Sequence, residues 1–118
     1  MRAASDPAGL PAGFLEEIDR RVGRRGWSIE PGRLALHAAE QWGTWRGCTP
    51  VVLRPATTAQ VAAVLQLCHA SEVPIVPQGG NTGLVGAGVP DGSGRLVVLS
   101  LARLNRIREI DPLNDTLT

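Results

Sequence analysis

The chain lacks lysine altogether, and all twelve of its basic residues are arginine. We attribute this to codon bias rather than to function. The formal net charge of +1 argues against a nucleic-acid partner. No apolar run approaches the length of a membrane span, and the first residues lack the apolar core of a signal peptide. These absences predict a cytoplasmic protein with no membrane span.

Cysteine and histidine are scarce, with two residues of each. Cys48 and Cys68 form no CxxC pattern, and Cys68 falls on the apolar face of a predicted helix, where a buried free thiol is the ordinary case. His37 and His69 have no sequence neighbours that would converge with them on a metal ion. The sequence therefore predicts no metal site, and no arrangement of serine, cysteine or paired carboxylates predicts a catalytic residue.

Residues 1–44 are predicted to form a helical and irregular N-terminal segment. Apolar residues recur at helical spacing from about Pro11 to Arg24, with acids early and arginines late, which suits the helix dipole. Trp27 to Ile29 favour an extended backbone, and Pro31-Gly32 predicts a turn. The glycine-punctuated segment from Glu40 to Gly47 is expected to be irregular.

Residues 45–118 follow a strand–helix–strand order. Thr57 and Gln60 fit a capping box at the helix start, and Val61, Val64, Leu65 and Cys68 have the spacing of one apolar helix face. Continuous apolar strands indicate burial on both sides. The predicted fold is α+β, with a right-handed βαβ unit and a small parallel sheet. The predicted elements are strands at 51–54, 73–76 and 96–100 and a helix at 57–70.

A glycine-rich loop follows the second predicted strand. Its sequence is Pro77-Gln78-Gly79-Gly80-Asn81-Thr82-Gly83-Leu84-Val85-Gly86-Ala87-Gly88, with five glycines and no charged side chain. Glycine permits positive φ and close approach of a ligand to bare amides, and successive inward N–H groups form a nest for anions. Sites in parallel sheets gather at the carboxyl ends of strands. The loop is therefore predicted to hold a diphosphate, and a flexible surface turn is the alternative.

The common nucleotide-binding loops are excluded by particular residues. A G-x-G-x-x-G fingerprint starting at Gly86 would need a third glycine where Asp91 stands. Gly83 and Gly88 have the glycine spacing of a P-loop, but Val89-Pro90 replaces its lysine and hydroxyl. An anion nest leading into another strand remains.

Three segments carry a family resemblance: Val51 to Val61, Val76 to Gly86 and Leu99 to Ile107. From residue 45 onwards the chain resembles the PCMH-type FAD-binding domain of the vanillyl-alcohol oxidase superfamily. Within it, the likeness is greatest to FAD-linked dehydrogenases and oxidases of D-2-hydroxy acids, of the D-lactate, glycolate and D-2-hydroxyglutarate type. The fold expected is the first half of such a domain.

The resemblance implies a role for each matching residue. Some relatives have a histidine bonded covalently to the flavin where Asn81 stands, so this chain is expected to bind FAD non-covalently. Ser100, Leu101 and Asn105 would lie beside the cofactor. The FAD diphosphate would be wrapped, mainly through backbone amides, by Pro77, Gln78, Gly79, Gly80, Asn81, Thr82, Gly83, Leu84, Val85 and Gly86.

The family's enzymes are several times longer, which implies that this chain is an N-terminal fragment and that 45–118 is an incomplete FAD-binding domain. Thr116 to Thr118 point the same way, because they resemble the start of a strand with no partner. The implied function is part of an FAD-dependent oxidoreductase acting on a small D-2-hydroxy acid. A truncated non-catalytic remnant, a weak nucleotide-binding module and a general phosphate binder are the alternatives.

Overall fold

The computed structural model describes residues 6–118, which form three α-helices and six short strands. A 3-10 turn at Arg24–Gly26 leads into the first strand. The helices are α1 (Phe14–Val22), α2 (Pro31–His37) and α3 (Thr58–Ala70). The strands are β1 (Trp27–Ser28), β2 (Val52–Leu53), β3 (Ile75–Gln78), β4 (Val97–Ser100), β5 (Ile110–Asp111) and β6 (Thr116–Leu117).

Four strands form a mixed sheet in the order β1-β2-β4-β3. β2 and β3 both run parallel to β4, which lies between them, and β1 is antiparallel to β2. The predicted α+β fold is confirmed, and the predicted small parallel sheet corresponds to β2, β4 and β3 within this mixed sheet. Helix α3 connects β2 and β3, which are not neighbours, because β4 is inserted between them. All of β4 is buried, as expected for a central strand.

The core lies between the sheet and the pair of helices α1 and α3, which pack against each other. Val64 and Cys68 of α3 are buried, but Leu65 is 44% exposed, so its predicted place on the apolar face is wrong. Successive residues of a helix are rotated by about 100° around its axis, so Leu65 points away from the buried face that contains Val64. Two elements of the first 44 residues belong to this unit, since α1 packs in the core and β1 pairs with the sheet. The domain boundary at residue 44 stays a prediction.

The start of α3 has the predicted capping box. Thr57 Oγ1 accepts a hydrogen bond from the Gln60 amide at 3.1 Å. The Gln60 Oε1 accepts a hydrogen bond from the amide of Ala56 at 2.7 Å, one residue before the amide that donates in the usual form of this motif. Together these bonds fix the angle at which the chain leaves β2.

Two segments differ from the prediction. Pro31-Gly32 opens helix α2 instead of forming a turn, because proline suits the first helical position and the Glu30 carboxylate accepts bonds from the amides of Gly32 and Arg33. Thr116–Leu117 does have a partner, since it pairs with Ile110–Asp111 in a two-stranded hairpin. The hydrophobic pattern gave no sign of this pairing because both strands are only two residues long.

Both cysteines are free, and burial raises the pKa of the Cys68 thiol to about 11. The buried free thiol predicted for Cys68 is thus confirmed. Within residues 6–118 the longest helix has 13 residues, and none of the helices combines the length and apolar character that crossing a membrane requires.

Candidate functional site

The glycine loop leaves the sheet at the end of β3. This strand continues to Gln78, two residues beyond the predicted end at Val76, so the irregular part of the loop begins at Gly79. Gln78 is in register with Ser100, the last residue of β4. The loop therefore starts at the carboxyl edge of the parallel strands, where the sequence placed it.

The Gln78 side chain is 2% exposed and closes the loop upon itself. Its Nε2 donates to the carbonyl oxygens of His37 at 3.0 Å and Gly88 at 2.8 Å. Its Oε1 pairs with Nδ1 of His37 at 2.5 Å. Since Gln78 lies at the start of the loop and Gly88 at its end, one buried side-chain amide joins both ends of the loop to the end of α2.

Asn81 makes a second connection to the same region. Its Nδ2 donates to the carbonyl oxygen of Ala39 at 2.7 Å. The backbone of Asn81 has φ of 56°, in the left-handed region where asparagine is more common than most other residues. Both the backbone and the side chain thus explain an asparagine here.

Of the two properties of glycine on which the prediction rests, positive φ and room for close approach, most of the loop glycines show only the second. Between residues 79 and 88 only Asn81 and Gly86 have positive φ. A Cβ on Gly86 would come within 3.0 Å of the Trp45 ring, whereas one on Gly79 or Gly83 would meet nothing within 4 Å. These two glycines are therefore not required by backbone strain, and they leave open space beside the main chain.

That open space is a concavity of about 190 Å³. In the described part of the chain, no amide from Gly79 to Gly86 donates a hydrogen bond to another residue. Free amides beside an open cleft can donate hydrogen bonds to a diphosphate group. A side chain larger than that of glycine at these positions would fill the cleft. The concavity is lined by Glu40, Gln78, Gly79, Gly80, Asn81, Thr82, Gly83, Gly86 and Gly88.

A larger concavity of about 630 Å³ shares the start of the loop. Residues 78–81 and Glu40 line both spaces, and the larger one also reaches His37, Arg46 and Ser100. An elongated ligand held at the loop would therefore find further space along the end of β4.

Glu40 is the one charged residue in the lining of the smaller concavity. Its carboxylate accepts bonds from the amides of Trp42 at 2.6 Å and Trp45 at 3.2 Å, and from that of Thr44. These bonds, first that from Trp42, hold the pKa of Glu40 below its usual range. The carboxylate thus fixes the backbone of residues 42–45, and its negative charge is shared among three N–H groups.

The structure brings together part of the predicted site. Seven of the predicted residues line the smaller concavity: Gln78, Gly79, Gly80, Asn81, Thr82, Gly83 and Gly86. Ser100 is buried and lines the larger one, and Leu101 packs against the core while its amide donates to the Gln78 carbonyl at 2.9 Å. Pro77, Leu84 and Val85 are exposed outside both linings, and Asn105 lines a separate concavity that Thr57 also lines.

Sequence reasoning missed three residues that shape the loop: His37, Glu40 and Trp45. Gly88 was predicted as part of the loop but not as a residue that binds the cofactor. Only Glu40 had a usable signal, because an acid before a glycine-punctuated segment can accept that segment's amides. His37 and its partner Gln78 are 41 positions apart, so spacing could not pair them. Within residues 6–118 no group of three or more histidine, cysteine or acidic side chains is placed to hold a metal ion.

Residues 49–118 match the family model described as "FAD binding domain". Over 91 residues the chain is 37% identical to a putative mitochondrial D-lactate dehydrogenase of Schizosaccharomyces pombe, covering 77% of this chain and 17% of that protein. Over 105 residues it is 36% identical to a mitochondrial D-2-hydroxyglutarate dehydrogenase of Bos taurus, covering 83% and 18%. The chain thus spans about a sixth of the length of these relatives.

Two solved structures share the fold. Alkyldihydroxyacetonephosphate synthase superposes with a TM-score of 0.76 at 20% identity, over 95% of this chain and 23% of that one. The p-cresol methylhydroxylase structure gives 0.69 at 24% identity, over 92% and 22%. The family match covers more than half of the chain and includes the whole glycine loop, whose bare amides suit a diphosphate. The chain therefore belongs to the family of FAD-binding domains.

Proposed function

We propose that this chain is the part of an FAD-dependent oxidoreductase that holds the FAD diphosphate, and that the complete enzyme oxidises a D-2-hydroxy acid. The observation that carries the proposal is the set of free amides from Gly79 to Gly86 beside an open concavity. The names of the yeast and bovine relatives, D-lactate and D-2-hydroxyglutarate dehydrogenase, support the substrate class.

The loop binds and orients, and it takes no part in proton transfer. None of the residues from Gly79 to Gly86 has an ionisable side chain. Their amides would donate to the diphosphate, while Gln78 and Asn81 hold the loop in shape through bonds to residues 37–39. When bound, FAD supplies the acceptor for the hydride that leaves the hydroxy acid.

The flavin is proposed to be non-covalent. Asn81 has no nucleophilic atom, and its amide already donates to the Ala39 carbonyl. Denaturing the flavin-loaded complete protein in acid should release all of the yellow colour into the supernatant. Colour retained in the precipitated protein would overturn this part of the proposal.

Cytoplasmic localisation also stays a proposal. The yeast and bovine relatives are named as mitochondrial proteins. Fractionation of cells that express the complete protein would distinguish the two compartments.

A weak nucleotide-binding module without catalytic activity is the second candidate. It is favoured by the composition of the loop, since none of the residues from Gly79 to Gly86 has an ionisable side chain. The two candidates differ in ligand preference, because amides alone recognise any diphosphate. A preference for FAD over ADP supports the flavoenzyme, whereas equal binding of the two supports the module.

The loop itself is tested with Gly80→Val, which places a branched side chain where only Thr82 Cγ2 lies within 4.0 Å. FAD binding, followed by flavin fluorescence, should be lost because the side chain occupies the diphosphate's space. Gly92→Val is the matched control, since Gly92 also has open surroundings but lies outside the loop concavity. Unchanged FAD binding by Gly80→Val would remove the loop from the site.

A further inference from the structure

Five arginines surround another concavity, of about 430 Å³, on the β1 side of the sheet. We call them the arginine cluster: Arg24, Arg25, Arg33, Arg54 and Arg103. No acidic side chain is in the lining, which otherwise consists of Trp27 and Ser28. Across residues 6–118 the ion pairs are made by Arg20 and Arg21, so none of the five has a carboxylate partner there.

The cluster is assembled from four separate segments. Arg103 Nη1 donates to the carbonyl oxygens of Arg54 at 2.8 Å and Arg25 at 3.3 Å, which joins the ends of β2 and the 3-10 turn to the segment after β4. The Arg24 guanidinium lies 4.3 Å from the centre of the Trp27 ring, a favourable cation–π arrangement. Arg33 comes from α2. These contacts fix the guanidinium groups of Arg103 and Arg24 beside the other segments of the cluster.

Glu30 provides a negative charge near the cluster, because the amide bonds from Gly32 and Arg33, followed by the charge of Arg33, lower the pKa of its carboxyl group. Burial, followed by the charges of Arg33, Arg103 and Arg25, lowers the pKa of the half-buried Arg54. Asp19 and Glu30 are the nearest acids along the chain. Asp19 accepts a bond from Trp27 Nε1, and Glu30 accepts the first amides of α2. Neither neutralises the cluster by an ion pair.

We propose that the arginine cluster is an anion site for an oligophosphate, with diphosphate as the simplest ligand. Guanidinium groups match phosphate oxygens with paired N–H donors, and five positive charges favour a multivalent anion over a single carboxylate. The cluster shares no lining residue with the glycine loop, so it is a separate site. The proposal does not depend on FAD binding at the loop.

Titration with inorganic diphosphate tests the proposal, with Trp27 as the local reporter. Trp42→Phe and Trp45→Phe together leave Trp27 as the only indole, because the sequence has three tryptophans. In that background diphosphate should change the emission in a saturable manner. Arg25→Gln and Arg33→Gln should each weaken binding roughly tenfold, the scale expected for a lost charge-assisted contact.

The matched control is Arg106→Gln, because Arg106 is an exposed arginine outside the cluster. This substitution changes the net charge by the same amount as Arg25→Gln and Arg33→Gln. It should alter diphosphate binding less than about twofold. Equal weakening by Arg106→Gln, or no saturable binding by the parent, would overturn the proposal. Circular dichroism of each variant checks that the fold is intact.

The glycine-loop variant Gly80→Val separates the two sites. It should leave the diphosphate response of Trp27 unchanged, even though FAD binding at the loop is lost. If Gly80→Val removes the Trp27 response, the anion binds at the loop and the second site does not exist. If the arginine variants alone remove the response, the cluster holds the anion whatever the fate of FAD binding.

Discussion

The glycine loop and the arginine cluster are two concavities past the carboxyl ends of parallel strands, and they are built in opposite ways. The loop follows β3 and offers neutral amides, with one carboxylate and no basic side chain in its lining. The cluster begins at Arg54, directly after β2, and offers five guanidinium groups with no carboxylate. The same edge of one sheet therefore provides two kinds of anion-binding chemistry.

The difference shows how a protein separates recognition by shape from recognition by charge. Amides in a fixed loop act at hydrogen-bond distance, so they favour a ligand whose oxygens match their positions. Guanidinium charges act over a Debye length, about 10 Å at 0.1 M salt, and accept many anions. The loop suits a resident cofactor and the cluster suits an exchanging ligand.

The largest effect is expected from Gly86→Ala. Gly86 has φ of 74°, and its new Cβ would lie 3.0 Å from the Trp45 ring. The substitution should lower the free energy of unfolding by about 1–3 kcal/mol and abolish FAD binding, while diphosphate binding at the arginine cluster persists. Gly83→Ala has open surroundings and no positive φ, so it should stay near parental stability in urea unfolding. Equal stability of the two variants would show that the loop backbone is not fixed at Gly86.

Gln78→Leu tests whether one buried amide holds the loop closed. The change leaves the carbonyl oxygens of His37 and Gly88 without their donor, which should lower the free energy of unfolding by about 1–3 kcal/mol. Gln66→Leu makes the same chemical change at an exposed position of α3 and should be nearly neutral. FAD binding should weaken in Gln78→Leu alone, since only there do the loop ends separate. A matching loss in both variants would count against this role for Gln78.

Salt should separate the two sites without any substitution. Raising sodium chloride from about 0.05 M to about 0.5 M shortens the Debye length and should weaken diphosphate binding at the cluster roughly tenfold. Binding of ADP at the loop, measured by calorimetry in the Arg33→Gln background, should change by less than about threefold because neutral amides make the contacts. A steep salt dependence at the loop would mean that charge, and not the amides, attracts the nucleotide.

The sequence predicted the parts of this fold that depend on local pattern. The capping residues Thr57 and Gln60, the helix that follows and the strand ending at Ser100 all depend on near neighbours in the chain. The glycine loop was found for the same reason. Leu65 was placed wrongly because two helix faces had similar hydrophobicity, and only the position of α1 decides which is buried.

The remaining features depend on contacts between distant positions. The bond between Asn81 and Ala39 spans 42 residues, and the cluster arginines Arg25 and Arg103 meet across 78. The arginines after α1 appeared only as a basic end that suits a helix dipole. Their convergence required the sheet order β1-β2-β4-β3, which places the segments after α1, β2 and β4 side by side. The spacing of residues within a single segment cannot predict that strand order.

The smallest effect is expected at Glu40, the carboxylate that distinguishes the loop concavity from the arginine cluster. Amide bonds hold the folded-state pKa of Glu40 below its usual value of 4.5, so ionised Glu40 stabilises the folded state. This contribution is fully present above the unfolded-state pKa and is lost as the pH falls through the folded-state pKa. Glu40→Gln should therefore be less stable than the parent at neutral pH, and the difference should shrink in acid.

The binding effect of the same change has the opposite sign. Glu40 lines the space proposed for the diphosphate, so removal of its charge should tighten ADP binding by up to about threefold at low salt, although the fold is weakened. Thermal unfolding of parent and Glu40→Gln across acid pH, together with ADP titration at neutral pH, measures both effects. A pH-independent stability difference would show that the carboxylate's charge does not hold residues 42–45. Weaker ADP binding by Glu40→Gln would show that Glu40 mainly helps the ligand to bind, by fixing the loop geometry. Its charge repulsion of the ligand would then be the smaller effect.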